Sequence, residues 1–388
     1  MGNIYSGAQV TIIATAGADA DYGLPGVTCD YKNPLSYAQL EHDSSGHFRR
    51  RIVGSVLKSV WYTRGWTYQE GYLSRRRMYF THYCVLYLCD NYRQNEEDFH
   101  AIFASLRNTA TTPDLWDMEQ MMYDYTGRHL TNDHDALNAI IGALEAQNAD
   151  HFWGVNIAIE DSSTFFFLHW THSSPATRRK EFPSWSPIGW RGQVDYRHGR
   201  PSLSHTCSVE VWLDGSHAAI SQNVGKLRLQ HHMHVEDNSK FLKLTTLVVK
   251  LEFIQLERRP AGLYVKVPYS PTLDVCILPF WDGNKAIEPA SVDRRIELPC
   301  VVVLEPDHRM FMEQDIRFEE HLQIMILRQY GDHYERVGCF TWNDDRSVHG
   351  FAQDKQGCMH PRSRLRSPEH GDGRYWLRHG VMTTFLLG

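Results

Sequence analysis

With 388 residues, 42% of them hydrophobic and 22% charged, the chain has the composition of a soluble globular protein and the length for one large domain or two ordinary ones. A net charge of -6 and a pI near 6.4 give no overall field that favours nucleic acid, and no window supplies the roughly 18 apolar residues of a membrane span. The N-terminus lacks a basic segment followed by an apolar one, and the eight cysteines are scattered with no C-x-x-C pair, so reduced thiols in a cytoplasmic protein are expected.

Residues 4–16, IYSGAQVTIIATA, are apolar and rich in β-branched side chains; they predict a buried strand closed by Gly17, with a turn at Gly23-Leu24-Pro25-Gly26. Two helices are predicted over 47–61 and 67–76, interrupted at Gly65. From Met78 to Cys89 the chain is apolar on both faces, as in a central strand pair turning near Thr81 and His82. Phe99, Ile102, Phe103 and Leu106 draw one helical stripe, and Leu137, Ile140, Ile141 and Leu144 draw another, with Thr131, Asn132 or Asp133 as its N-cap.

From about residue 155 the texture changes to strands, predicted at 164–171, 208–213, 226–231, 241–256, 262–268, 273–281, 299–304, 322–330, 334–342 and 381–387. This spacing suggests an antiparallel sandwich or open barrel. Residues 354–374, heavy in Arg, Gly, Ser and His, predict a mobile loop. The expected class is α+β: an N-terminal α/β domain, 1–155, packed on a β-rich domain, 156–388.

The segment from Trp61 to Arg77 packs two Trp, a Glu and four Arg into a short stretch. Its core, Arg64-Gly65-Trp66-Thr67-Tyr68-Gln69-Glu70, closely resembles the R-G-W-T-x-Q-E block of the fungal heterokaryon-incompatibility (HET) domain. Three further blocks resemble that family in order. They are residues 2–8 through Gly23-Leu24-Pro25-Gly26-Val27, then residues 125–137, then Phe182-Pro183-Ser184-Trp185-Ser186-Pro187-Ile188-Gly189-Trp190-Arg191-Gly192. Pro187 stands where the family usually has Trp. The family's opening W-I-D-x-L-C-I-x-Q block has no counterpart, so a shortened member is expected, and nucleotide hydrolysis is not simply inherited.

Three clusters are candidates for chemistry. Glu70 could act as general acid or base with Arg64 clamping an anion or carbonyl; alternatively the two pin their helices through buried charge-assisted hydrogen bonds. Trp61 and Trp66 are core anchors or ligand walls. Arg128 forms a second polar group with Asp133 and Asp135, Asp133 reading as a cap and Asp135 as a first-turn acid. In the third, strand alternation puts Trp170 and His172 on one side and His169 on the other, ahead of Trp185 and Trp190, with Gly189 and Gly192 allowing close backbone approach. This tract either seals a junction or walls a pocket for a small apolar ligand. The tract His231-His232-Met233-His234 reads as an exposed strand end rather than a metal site.

Two functions compete. One is a HET-type cell-death regulatory module acting by protein contacts or nucleotide cleavage. The other, favoured on the sequence, is a cofactor-free cyclase of fungal secondary metabolism, such as an intramolecular [4+2] pericyclase on a terpenoid or polyketide precursor. Such a reaction needs an apolar pocket and one polarising donor, with no metal, cofactor or nucleic acid. Arg64, Tyr68, Glu70, His169 and His172 are then the candidate catalytic groups, and Trp66, Trp170, Trp185 and Trp190 the walls around a small apolar organic substrate.

Overall fold

Apolar runs of the N-terminal segment divide between helix and strand. Helix α1 takes Gly2–Gly7 and strand β1 takes Thr11–Ala14, so the single strand expected over 4–16 is too long. A short apolar run does not separate the two states by pattern alone, and the β-branched side chains that favour extension are concentrated at Val10-Thr11-Ile12-Ile13, with only Ile4 inside the helix. The computed structural model describes residues 2–36, 39, 42, 45–89, 115–147, 151–160, 163–166, 168, 170–172, 174, 176–196, 201–203, 207–213, 215–219, 237–256, 262–268, 273–283, 295–306, 321–343, 350–354, 359–360 and 375–388. They fall into two compact units, Met1–Ala149 and Asp150–Gly388. The class is mixed α+β.

In the first unit α2 spans His47–Leu57, α3 Val60–Thr63 and α4 Thr67–Leu73. The helix predicted over 47–61 breaks because Ser59 turns extended and its hydroxyl accepts from the Tyr62 amide at 3.1 Å, capping a new helix. Strand β2, Arg76–Phe80, pairs in parallel with β1 and antiparallel with β3, Val85–Cys89, across a turn at 81–84. Helices α5, Leu115–Thr126, and α6, Asn138–Ala146, follow among the described residues. Ala139, Ile140, Ala143 and Leu144 are the buried stripe of α6. The expected cap is replaced by a 3-10 turn, Asp133–Asp135, whose flanking Asn132 makes no side-chain cap bond. The stripe predicted over 99–106 lies outside the described residues.

Among its described residues, the second unit is built of strands joined by irregular segments and three short 3-10 turns. Its first part holds β4 His151–Phe152, β5 Val155–Glu160, β6 Ser163–Phe166, β7 Trp170–His172, β8 Thr177–Arg178, β9 Trp190–Arg191 and β10 Val194–Tyr196. There follow β11 Pro201–Leu203, β12 Ser208–Leu213, β13 Ser216–Ala219, β14 Leu242–Leu256, β15 Gly262–Pro268, β16 Leu273–Ile277 and β17 Phe280–Trp281. Last come β18 Arg295–Pro306, β19 His321–Tyr330, β20 His333–Asn343, β21 Gly350–Asp354, β22 Met359–His360 and β23 Val381–Leu387. The predicted strand 226–231 and the histidine tract 231–234 lie outside the described residues, as do 355–358 and 361–374 of the predicted loop, whose described residues 354 and 359–360 are strand.

Strand β14 organises this unit. On one edge it pairs with β12 and then β18; on the other, with β23 and then β15. Its buried positions change parity along the way, from Leu242, Leu244 and Thr246 to Val249, Leu251 and Phe253. The change falls at Leu247–Val248, where the ladders hand over, so each half of one strand buries a different set. Pairings β14–β23, β23–β20, β20–β19, β19–β18 and β18–β14 form a closed circuit, with β15, β16, β21 and β22 as a wing. The expected open barrel or sandwich is therefore joined into a ring of ladders. Val249, Leu251, Phe253, Val265, Val275, Ile324, Phe340, Trp342 and Trp376 share its main core. All seven described cysteines are free thiols.

Candidate functional site

The R-G-W-T-Y-Q-E segment bends between α3 and α4, and its neighbours hold the bend. Gly65 donates its amide to His129 O at 2.7 Å, and His129 returns one to Thr63 O at 2.6 Å. A Cβ on Gly65 would run into Leu130, which explains glycine there. Thr67 caps the turn by donating its hydroxyl to the carbonyls of Trp61 and Arg64. Tyr68 is fully buried, stacked on Tyr72 at 5.7 Å and meeting Tyr125 edge-on at 5.8 Å. Burial holds its phenol well above the ordinary tyrosine value.

The buried cation of this group is Arg128. It is 5% exposed, with its guanidinium over the Tyr62 ring at 4.1 Å and the Tyr68 ring at 4.9 Å. It donates to Arg64 O at 3.4 Å and Thr67 Oγ1 at 3.3 Å, and burial pulls its pKa down. This corrects two expectations. Arg128 binds the tyrosines and the bend rather than Asp133 or Asp135, and no ion pair closes between Arg64, which is exposed, and Glu70. Glu70 accepts from Trp61 Nε1 at 3.2 Å; burial raises its carboxyl pKa against that bond and the Arg64 charge. Half-buried Trp66 donates to Asp135 at 3.3 Å.

Trp170, Thr171 and His172 on β7 are all buried. As alternation requires, Trp170 and His172 share a side, their rings edge-to-face at 5.1 Å, and Trp190 meets His172 at 5.6 Å. The indole N–H groups of this tract are committed to backbone. Trp170 donates to Trp185 O at 3.1 Å, Trp185 to Lys240 O at 3.0 Å and Trp190 to Ser184 O at 2.8 Å. Gly189 and Gly192 do permit close approach: a Cβ would strike Pro183 O at the first and Ala176 at the second. His169 lies outside the described residues.

Sequence reasoning missed the ion pair behind these rings. Arg336 on β20 is fully buried, donates to Asp282 Oδ2 at 2.8 Å, to Leu168 O at 2.9 Å and to Trp170 O, and lies over the Trp170 ring at 3.5 Å. His172 Nε2 stands 4.0 Å from Asp282 Oδ1. Burial lowers the imidazole pKa, Asp282 opposes, and Arg336 adds to the lowering. Simple alternation does not reveal Arg336: the β20 ladder shifts register between Arg336 and Gly338, and Val337 rather than Arg336 packs against the core that holds Phe340 and Trp342. Arg64, Trp66, Tyr68 and Glu70 belong to the N-terminal unit, whereas Trp170, His172, Trp185 and Trp190 belong to the C-terminal one.

Residues 1–70 match the family model described as Heterokaryon incompatibility protein (HET). The HET match takes in α1, β1, α2, α3 and the start of α4, ending at Glu70, the last residue of the R-G-W-T-Y-Q-E block. No curated protein and no solved structure gives a match. Among the described residues no helix is long and apolar enough to cross a membrane, and no His/Cys/Asp/Glu group could hold a metal ion.

Proposed function

We propose that this chain is a HET-type regulatory module that restrains fungal growth through contacts made by the folded protein. The observation that carries this reading is the HET match over 1–70 together with the state of its signature block. There Tyr68, Thr67 and Arg128 form a packed, hydrogen-bonded bend. A cyclase would require indole walls and a free carbonyl donor facing a substrate. Trp170, Trp185 and Trp190 are 0%, 0% and 5% exposed and give their N–H groups to carbonyls, which suits a core-building role.

The test is inducible expression of the full chain in a filamentous fungus. Growth arrest is expected with the native chain. Arrest should be weakened by Arg128→Met, which removes the cation from the signature bend, at protein levels matched by immunoblot. Normal growth with the native protein accumulating overturns the reading. Conversion of a linear polyene precursor by the purified protein would restore the cyclase in its place.

A further inference from the structure

Helix α2 and its C-cap residue Lys58 present Arg50, Arg51, Gly54, Ser55 and Lys58 along one face, at spacings of three, four, seven and eight residues, while Ile52, Val53 and Val56 are buried on the other. With His47 and Tyr83 they line a cleft of about 400 Å³. Arg50 donates to Ser45 O at 2.7 Å, and the Arg51 guanidinium lies over the Tyr83 ring at 5.1 Å, so both arginines are steered rather than loose. Among the described residues no carboxylate comes within 4.0 Å of Arg50, Arg51 or Lys58, although the chain as a whole is acidic. Three like charges on one helical face repel, and an anion placed among them offsets that cost.

The middle of the face is open at Gly54, where a Cβ would meet nothing within 4 Å. The Ser55 hydroxyl gives its proton to Ile52 O at 2.6 Å, leaving the cations as the donors. We infer that this cleft binds a compact anion bearing two or more phosphate groups. Guanidinium forks match phosphate oxygens, and Lys58 adds a point charge about 10 Å along the helix from Arg51, farther than a single phosphate reaches. This inference stands apart from the incompatibility reading, because it concerns a ligand of the purified chain and not the effect of the chain in cells.

The experiment is calorimetric titration of the full chain at about 50 mM salt, where screening is weak. Inorganic phosphate, tripolyphosphate, ATP and vesicles containing phosphatidylserine are the four probes. Tripolyphosphate should bind about tenfold or more tighter than phosphate, and R51Q combined with K58Q should weaken it about tenfold or more. G54E, which places a carboxylate in the cleft, should do the same, whereas G54A should bind like the native chain. ATP binding equal to tripolyphosphate, or tighter, upholds the site and reports whether a base adds contact. Absent tripolyphosphate binding, binding unchanged in both R51Q/K58Q and G54E, or binding to vesicles alone overturns it.

Discussion

Arg336 shows what it takes to bury a whole charge. Asp282, the carbonyls of Leu168 and Trp170 and the Trp170 ring surround the guanidinium, so its donors find oxygens and its face finds an indole. Asp282 and Arg336 lie 54 residues apart, and no local pattern joins them. His172 shares this enclosure, and its lowered pKa gives stability a pH dependence of definite sign. An unfolded histidine binds a proton near pH 6.5, whereas the buried one resists it, so the unfolded state holds more protons just below that value. Stability should therefore fall as pH drops through about 6.5 and level off below the folded pKa, with no contribution above about pH 7. In urea unfolding across this range, the stability advantage of the native chain over His172→Gln should be constant at the alkaline end and shrink toward acid. Parallel curves throughout would show that His172 is not protected.

At the scale of elements, motif and periodicity carried different information. The helix–turn–helix around Gly65 was legible because its bend needs a residue without a Cβ. The helix at 2–7 was hidden by an apolar run that suits either state. The split of the predicted 47–61 helix turned on one serine hydroxyl, a contact that hydrophobic spacing does not encode. Gly65 offers a direct test. Gly65→Ala pushes a methyl into Leu130 and should cost about 1–3 kcal/mol of stability. Leu130→Ala removes the obstacle at the expense of packing, so the double variant should unfold at a higher temperature than the two single effects added together. The shortfall from additivity should be about 0.5 kcal/mol or more, measured by thermal melts followed by circular dichroism. Strict additivity would mean that Leu130 is not what Gly65 accommodates.

Across the whole molecule, individual strands of the second unit were legible but their closure was not. Most predicted strands fall on observed ones, as at 208–213, 262–268 and 381–387, because alternation and turn residues are local signals. Ring formation depends on pairs such as Val248 with Val301 and Thr245 with Thr384, set by partners far along the chain. Strand β23 is the member that closes the circuit. It pairs with β14 at seven positions and touches β20 at Tyr334 and Leu387, and Gly388 O next to it accepts from both the amide and the hydroxyl of Ser184. Removing residues 381–388 leaves one edge of Leu242–Val248 without its ladder and strips Ser184 of that acceptor. The shortened chain should lose the cooperative unfolding transition of the second unit and bind a dye for exposed apolar surface. By contrast, Val381→Thr and Met382→Thr, at positions 66% and 53% exposed on the same strand, should change stability by no more than about 0.5 kcal/mol. Denaturant titration of all three proteins decides it: a sharp, native-like transition in the truncated chain would show that the remaining ladders hold the sheet without β23.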